Sequence, residues 1–503
     1  MEDKITINQI QDFEGKYPKQ LWSLFFSEMW ERFSFYGMRG MLAVFMVSQL
    51  NMDETTANLQ YGATQAWVYA FTFIGGLFAD KILGFRKSLF WGGILMIIGS
   101  IILAVSPKDL FFTGIGFTIV GTGFFKPNIS SMVGQLYKDG DVRRDAGFSL
   151  FYAGINLGAL LGGYVCIAVA NGNLWINFVP GNLRWNYAFG FAAIVMIISL
   201  LTFIQTQKSL GEIGISPLLN IDNSKRKIYE IATYIGSLAI IPIIIMMVAN
   251  TVYTDYFMMI IGPLSILYLF YEMRNLSLKE NKKLIAALVF IIFSIFFWAF
   301  YEQSGGSLSL FAANNLNTNL LGIALDPNGV NNSSGALFVI IFAGLLGFIW
   351  IWMAKRKIEP NTVVKFGLGF LFLAAGFWLF YYTKFFASPD GKTSLNLFTF
   401  GWFVITFGEL CLSPIGMSAM TKLSPQKLQA VIMGMWFLAS AYGQYFAGLL
   451  GANIAEASKN ASNLEKLNTY TNGYQQLAFY ALVAGLVLIV ISPFVKKLMQ
   501  EVK

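Results

Sequence analysis

The sequence predicts an all-α integral membrane protein with 12 membrane-spanning helices in two six-helix bundles, plus two extra helices between the bundles. Of the 503 residues, 56% are hydrophobic and only 12% are charged, about half the charged share of a soluble domain. Apolar stretches of about 20 residues, the length that crosses a bilayer, recur along the whole chain. These stretches fall into groups of six, two and six. The grouping predicts the two bundles and the extra pair.

The predicted spans follow from the lengths of the apolar stretches. The first six lie at 21–48, 56–80, 88–106, 110–136, 146–170 and 185–206. After a polar stretch come the two extra spans, at 228–250 and 253–272. The last six lie at 284–312, 334–354, 361–386, 395–421, 428–453 and 472–495. They predict an N-terminal bundle over 1–206, a linker with the two extra helices over 207–283, and a C-terminal bundle over 284–503.

Basic residues are distributed unevenly between the two sides of this topology. If the N-terminus is cytoplasmic, 26 of the 35 lysines and arginines belong to inside segments, six to outside loops and three to spans. Because basic residues concentrate on the cytoplasmic side, we expect a multi-pass protein of the inner (plasma) membrane with both termini cytoplasmic. The polar first twenty residues predict no cleavable signal peptide. The topology explains the net charge of +8, so no nucleic-acid partner is expected.

Composition also limits the chemistry. The chain has no histidine, which excludes metal sites built on imidazole and means that a proton relay must use carboxylates. Cys166 and Cys411 lie far apart in apolar segments, where we expect them to be small core residues rather than a disulfide. We expect no metal and no cofactor.

The first predicted span contains an unusual group of charges. Glu28, Glu31 and Arg32 lie within five residues, and Glu28 precedes Arg32 by four, the favourable order for a helical ion pair. Charged side chains are costly in hydrocarbon, so they persist where they face a cavity or each other. A buried group of acids and a base can hold or release a proton. Proton-coupled transport is therefore the first hypothesis.

The loop between the second and third spans carries a further motif. It reads Gly76-Leu-Phe-Ala-Asp80-Lys-Ile-Leu-Gly84-Phe-Arg86-Lys87, which resembles the signature loop of the major facilitator superfamily. We expect its glycines to allow close helix packing and Asp80 to pair with Arg86. The alternative is an ordinary basic loop on the cytoplasmic side.

Five segments resemble the hallmarks of the proton-dependent oligopeptide transporter family, in the same order. They are Glu28–Gly37 (E-x-x-E-R-F-x-F-Y-G), Gly121–Asn128 (G-x-G-x-x-K-P-N), Phe151–Gly158 (F-Y-x-x-I-N-x-G), Phe297–Gln303 (F-W-x-x-x-E-Q) and Gly408–Gly416 (G-E-L-x-L-S-P-x-G). One departure is Phe35, which stands where the family has the first tyrosine of a pair. The resemblance implies the major facilitator fold and proton-coupled import of di- and tripeptides by alternating access.

The resemblance also implies roles for individual residues. It assigns proton coupling to Glu28, Glu31, Arg32 and Glu302. It assigns peptide binding to Arg39, Tyr36, Tyr69, Lys126, Asn156, Glu409, Trp436 and Ser440. Two gating salt bridges are implied, Arg39 with Glu302 on the outer side and Lys126 with Glu409 on the inner side. The eighth span has Gly335-Ala336 where the family often has Asn-Pro, so this helix is left out of the expected site.

Simpler readings of these residues stay open. Lys126 and Glu409 also fit a purely structural pair, and Arg39 also fits a side chain that snorkels from the outer end of its span. Tyr36, Tyr69 and Trp436 also fit ordinary aromatic packing.

Other functions stay open as well. Related transporters carry nitrate and other anions. Loss of the first-span motif or of Lys126 would favour such a transporter, but this sequence keeps both the motif and Lys126. A proton/drug antiporter of the same superfamily would export cations, which the basic N-terminal half argues against. An integral-membrane enzyme or receptor is the third class, and the sequence has no metal-ligand cluster or large soluble domain to favour it. The expected partners are di- and tripeptides, protons and the lipid bilayer.

Overall fold

The computed structural model describes residues 5–138, 140–173, 179–455 and 461–500. Long helices dominate these residues. The first eight helices are α1 (Ile7–Gln11), α2 (Lys19–Ser48), α3 (Glu54–Phe78), α4 (Phe85–Val105), α5 (Phe111–Gln135), α6 (Arg143–Asn171), α7 (Arg184–Thr206) and α8 (Asn223–Ala249). The next eight are α9 (Thr251–Met273), α10 (Leu278–Tyr301), α11 (Ser307–Asn315), α12 (Pro327–Lys355), α13 (Thr362–Tyr382), α14 (Leu395–Leu423), α15 (Gln429–Ile454) and α16 (Asn463–Met499). Strands β1 (Asn319–Leu320) and β2 (Ile323–Ala324) form a small antiparallel hairpin.

The helical fold class predicted from the sequence is confirmed. Every predicted span overlaps one of these helices. Within the described residues, 11 helical segments are long and apolar enough to cross a membrane. The total of 12 spans plus two stays a prediction. The hairpin of β1 and β2 was not predicted, because four strand residues leave no periodic signal in a sequence.

One predicted span is interrupted in the structure. The span expected at 284–312 divides into α10 and α11, with a 3₁₀ turn at Glu302–Gly305 between them. The break coincides with two glycines that α3 approaches closely. A Cβ on Gly305 would lie 1.9 Å from the Tyr61 hydroxyl, and one on Gly306 would lie 2.7 Å from Asn58 Oδ1. The two glycines leave room for this approach, and glycine pairs are common positions for a helix to bend.

The chain divides into two compact units by its internal contacts. One comprises Met1–Met41 and Trp67–Ala249, and the other comprises Leu42–Ala66 and Asn250–Lys503. We call them the first and second units. The boundary at Asn250 places the two extra helices in different units, α8 in the first and α9 in the second. The three-part division drawn from the sequence stays a prediction.

Each extra helix is held within its own unit by polar contacts. On α8, Glu230 accepts hydrogen bonds of 2.6 and 2.7 Å from Lys87 Nζ, and Ser237 Oγ accepts one of 2.9 Å from Trp91 Nε1 of α4. On α9, Asp255 Oδ1 accepts a hydrogen bond of 2.6 Å from Tyr445 Oη of α15. The two helices are therefore fixed to the protein by specific contacts rather than by apolar packing alone.

The loop at 76–87 differs from the expectation in its polar contacts. Arg86 Nη2 donates to the carbonyl of Gly211 at 2.6 Å, and Nη1 donates to the carbonyl of Gln207 at 3.3 Å. Asp80 lies exposed on a π-helical turn. The guanidinium is thus used to hold the chain that follows α7, and the expected pairing with Asp80 is wrong for this structure, because the carbonyls after α7 lie nearer to Arg86.

Candidate functional site

The acid–arginine group predicted in the first span lies together and buried on α2. The exposed fractions are 2% for Glu28, 0% for Glu31 and 2% for Arg32. Arg32 Nε lies 3.1 Å from Glu28 Oε1 and also forms an ion pair with Glu31. The predicted i,i+4 pairing is therefore observed. Two carboxylates share one guanidinium in a site that excludes water, so this group carries a net negative charge when both acids are ionised.

Small residues on α6 explain how α2 is buried so closely. A Cβ on Gly158 would lie 2.1 Å from the Met29 carbonyl oxygen, and one on Gly162 would lie 2.1 Å from the Phe33 carbonyl oxygen. Both glycines lie on one face of α6, four residues apart, in the spacing typical of packed membrane helices. Cys166, four residues further, is a free buried thiol against α2, as the sequence predicted.

Two aromatic rings accompany the arginines of α2. The Phe35 ring centroid lies 5.4 Å from Arg32 Cζ, and the Tyr36 ring centroid lies 5.6 Å from Arg39 Cζ. Phe35 is buried beside the charge cluster, so the departure from the family at this position keeps the ring and removes a hydroxyl next to Arg32. Arg39 is only 6% exposed, and it lies nine residues before the end of α2. Because Arg39 is buried well before the end of its helix, the structure does not support the alternative that it snorkels from the outer end of its span.

Lys126 is placed by the glycines of its own motif. Gly121 faces α4, where a Cβ would lie 2.8 Å from the Gly92 carbonyl oxygen, and Gly123 faces α3, where it would lie 2.6 Å from the Phe71 carbonyl oxygen. These close contacts bring Lys126 beside Tyr69, with Nζ 4.0 Å from the ring centroid. That distance is typical of a cation–π interaction.

Electrostatic interactions join Lys126 to the cluster on α2. Glu28 and Glu31 attract its ammonium, whereas Arg32 and Arg39 repel it. Five of the predicted charged residues thus form one interacting group within the first unit.

Asn156 of α6 also lies in the first unit, and its amide is partly used by its own helix. Its Nδ2 donates a hydrogen bond of 2.9 Å to the Tyr152 carbonyl oxygen. The remaining amide hydrogen and the side-chain oxygen are the groups that a ligand would engage.

The second unit holds the two predicted carboxylates, Glu302 and Glu409. Glu302 is buried at the start of the break between α10 and α11. Glu409, on α14, accepts a hydrogen bond of 2.6 Å at Oε2 from Tyr301 Oη. The charges of Glu302 and Glu409 repel each other. This unit therefore holds two carboxylates that interact electrostatically with each other.

Sequence reasoning missed the residues that support Glu409. Tyr301 packs edge-on against Trp402, with ring centroids 5.8 Å apart, and Trp402 Nε1 donates to Asn331 Oδ1 at 3.1 Å. Asn331 Nδ2 in turn donates to the Ser304 carbonyl oxygen at 2.7 Å, in the break after α10. Two features of the sequence could have indicated these residues. Tyr301 directly precedes Glu302, and a run of asparagines begins α12.

Trp436 and Ser440, on α15, lie one turn apart in the second unit. The Trp436 ring covers Gly416 of α14, where a Cβ would lie 2.3 Å from Cη2. Ser440 Oγ donates to the Trp436 carbonyl oxygen at 3.4 Å. The ring therefore packs between two helices, so the packing alternative for Trp436 still stands beside the binding role.

The two expected salt bridges, Arg39–Glu302 and Lys126–Glu409, each join residues of different units and stay predictions. No group of three or more His, Cys, Asp and Glu side chains suitable for a metal ion occurs within the described ranges.

Comparison with known proteins places the chain in a family. A model of the POT family matches residues 86–472. The peptide transporter YePEPT of Yersinia enterocolitica is 33% identical, over 96% of this chain and 96% of that protein. The di-/tripeptide transporter of Lactococcus lactis is 30% identical, over 97% of each chain. A crystal structure of a peptide transporter POT in complex with sulfate has a TM-score of 0.82 and 31% identity, covering 99% of this chain and 100% of that one. The chain belongs to the POT family of transporters, within the major facilitator superfamily.

Proposed function

We propose that this protein is a proton-coupled symporter that imports di- and tripeptides by alternating access. The observation that carries the proposal is the distribution of charge between the units. Besides its acid–arginine cluster, the first unit holds the cations Arg39 and Lys126, and the second holds the carboxylates Glu302 and Glu409. A short peptide is a zwitterion, so two cations and two carboxylates complement its two ends. The relatives from Yersinia and Lactococcus are named as peptide transporters, which supports this substrate class.

Arg39 and Lys126 would receive the peptide carboxylate, with Tyr36 and Tyr69 holding the two cations in place through their rings. Glu409 would receive the peptide ammonium, with the help of Asn156. Trp436 and Ser440 would line the pocket for a side chain.

Glu28, Glu31, Arg32 and Glu302 would couple transport to protons. A buried carboxylate beside a guanidinium is subject to two opposed effects, since the guanidinium favours the charged form and burial favours the neutral form. Protonation of Glu28 or Glu31 weakens its ion pair with Arg32 and changes the charge that Lys126 experiences. Such a change biases the protein between its conformations.

The two gating salt bridges belong to the same proposal. Arg39 with Glu302 and Lys126 with Glu409 would form in alternate states of the transport cycle. A charge exchange tests each pair. We expect R39E and E302R to abolish uptake singly and to restore part of it together. Failure of the double variant, with both proteins folded, would remove that pair from the mechanism.

The protein is proposed to reside in the inner membrane with both termini cytoplasmic, as the distribution of basic residues favours. Labelling of single cysteines, introduced near each terminus of a protein whose two native cysteines are replaced, tests this orientation. Modification of either terminal cysteine by an impermeant reagent in intact cells contradicts it. The peptide is proposed to cross unchanged, without hydrolysis.

Uptake into proteoliposomes is the main test of the function. Labelled dialanine is supplied with and without an inward acid gradient, and unlabelled peptides, nitrate or a cationic drug are added as competitors. We expect accumulation above the external concentration only with the gradient, blocked by peptides alone. Chromatography of the vesicle contents should recover intact dialanine. Competition by nitrate supports an anion transporter instead, and acid-driven drug efflux supports an antiporter.

A further inference from the structure

A cavity of about 540 Å³ lies in the second unit, where one helix begins and two others end. It is formed by the start of α13, the end of α14 and the end of α16. Its polar lining residues are Glu359, Asn361, Thr362, Lys365, Ser418, Lys422 and Lys496. None of these residues takes part in the site described above, so the cavity needs its own explanation.

The cavity carries an excess of positive charge. Lys365 forms an ion pair with Glu359, and its Nζ also lies 4.7 Å from the Trp350 ring centroid. For Lys422 and Lys496, the described residues supply no ion-pair partner. Two lysines are therefore left to bind an anion, since only one of the three is neutralised by the single acid.

The start of α13 adds to the positive potential and is held firmly. Asn361 caps the helix, with Oδ1 accepting from Val364 N at 3.0 Å, and its Nδ2 donates to Ser492 Oγ of α16 at 2.9 Å. The first turn of a helix carries a partial positive charge. The cap, the helix start and the neighbouring helix thus form one wall of the cavity.

The surroundings of the cavity match the edge of a bilayer. Ile358, directly before the lining residue Glu359, is 55% exposed. At the end of α12, Arg356 lies 4.2 Å from the centroid of the half-exposed Trp352 ring. Tryptophan and basic residues are typical of the membrane interface, and exposed aliphatic side chains are typical of the surface that faces lipid tails.

We propose that this cavity binds the phosphate-bearing headgroup of an anionic phospholipid. Lys422 and Lys496 contact the phosphate, and the lipid tails lie along the apolar surface at the end of α12, where Trp352 and Ile358 are exposed. Free phosphate shares the headgroup chemistry, but the exposed apolar side chain next to the lining residue Glu359 favours a ligand that also has tails. Basic pockets between transmembrane helices are known to hold anionic lipid headgroups.

Binding of short-chain lipids to the purified full-length protein tests this proposal. Dioctanoyl phosphatidylglycerol, the phosphatidylcholine of the same chain length, and inorganic phosphate are titrated in separate arms, and bound lipid is counted by native mass spectrometry. We expect phosphatidylglycerol alone to bind at one saturable site. Near a membrane, each lysine contributes about fivefold to such binding, so K422Q and K496Q should each weaken it by about that factor.

Lys497 provides a matched control, because it is an exposed lysine on the same helix turn and does not line the cavity. K497Q should leave binding within about twofold of the unchanged protein. K422R and K496R should retain binding, which separates loss of charge from loss of fold. Equal weakening by K497Q means diffuse surface attraction and overturns the site. Saturable binding of inorganic phosphate at similar concentration overturns the assignment to lipid, and equal binding of phosphatidylcholine overturns the role of the lysines.

Discussion

Tyr301 donates a hydrogen bond of 2.6 Å from its hydroxyl to Oε2 of Glu409, joining α10 to α14 within the second unit. The donor lies one residue before Glu302 and directly before the helix break. Glu409 is the carboxylate proposed to receive the peptide ammonium. Its orientation therefore depends on a residue whose neighbour is proposed to carry a proton.

Replacing Tyr301 with phenylalanine removes only the hydroxyl. A hydrogen bond to a carboxylate contributes about 1.5–3 kcal/mol, so we expect Y301F to raise the KM for dialanine by about tenfold or more. The reason is that Glu409 loses the donor that fixes its position. Concentration-dependent uptake in proteoliposomes measures the change.

Tyr382 is the control for this substitution, since it is half-exposed on α13. We expect Y382F to leave KM unchanged. An unchanged KM in Y301F, with a lowered unfolding temperature, would show that the hydroxyl serves stability alone.

Glutamine at Glu28 or Glu31 tests the proton-coupling proposal. Each substitution removes one negative charge from the pair that Arg32 holds. We expect acid-driven accumulation to fall to the level seen without a gradient, while exchange of peptide across the vesicle membrane continues. The cause is that a glutamine cannot take up and release the proton.

Removing one partner from a buried ion pair lowers the free energy of unfolding by about 3–5 kcal/mol. Because the other glutamate still pairs with Arg32, we expect each single substitution to cost less stability than that. E14Q is the control, because Glu14 is exposed. Acid-driven accumulation that persists in both E28Q and E31Q would falsify the coupling assignment.

The interaction of Lys126 with Tyr69 makes a separate prediction. Lys126 Nζ lies 4.0 Å from the centroid of the Tyr69 ring, so the ring should matter more than the hydroxyl. A cation–π contact contributes about 0.5–2 kcal/mol. We therefore expect Y69L to raise the KM for dialanine by about fivefold and Y69F to change it by less than about twofold.

Uptake measured over a range of peptide concentrations separates these two variants. K126Q serves as the reference for complete loss of the cation and should have the largest effect of the three. If Y69F is as impaired as Y69L, the hydroxyl and not the ring carries the role of Tyr69.

The spans were predictable because hydrophobic length is a strong signal that local sequence carries alone. The charge cluster on α2 was predictable for a similar reason, since Glu28 and Arg32 are neighbours on a single helix. Neither feature depends on how distant parts of the chain meet.

The break after α10 and the support of Glu409 could not be predicted in this way. The break coincides with the close approach of Tyr61 to Gly305, and Tyr301 and Glu409 are more than one hundred residues apart. Arg86 was expected to bind a nearby acid, yet it binds carbonyls that follow α7. In each case the deciding partner comes from tertiary packing, which a pattern within one segment does not contain.

The glycines of α6 make the last prediction, which concerns stability. In G158A the new methyl group would lie 2.1 Å from the Met29 carbonyl oxygen and 2.8 Å from Arg32 Cβ, so α2 must move. Overpacking of this kind costs about 1–3 kcal/mol. We expect a lower thermal unfolding midpoint in detergent, together with reduced acid-driven uptake, because the displaced helix carries the proposed proton site.

Gly344 offers a matched control on α12, since a Cβ there meets nothing within 4 Å. Alanine is also the better helix former by about 1 kcal/mol, so G344A should unfold at the same temperature or higher. The comparison separates steric contact from helix propensity, which would favour alanine at both positions. If G158A unfolds no earlier than G344A, the close approach of α6 to α2 is not what positions Glu28, Glu31 and Arg32. If G158A loses stability but keeps full acid-driven uptake, the cluster tolerates displacement, and its role in coupling cannot depend on the tight geometry seen here.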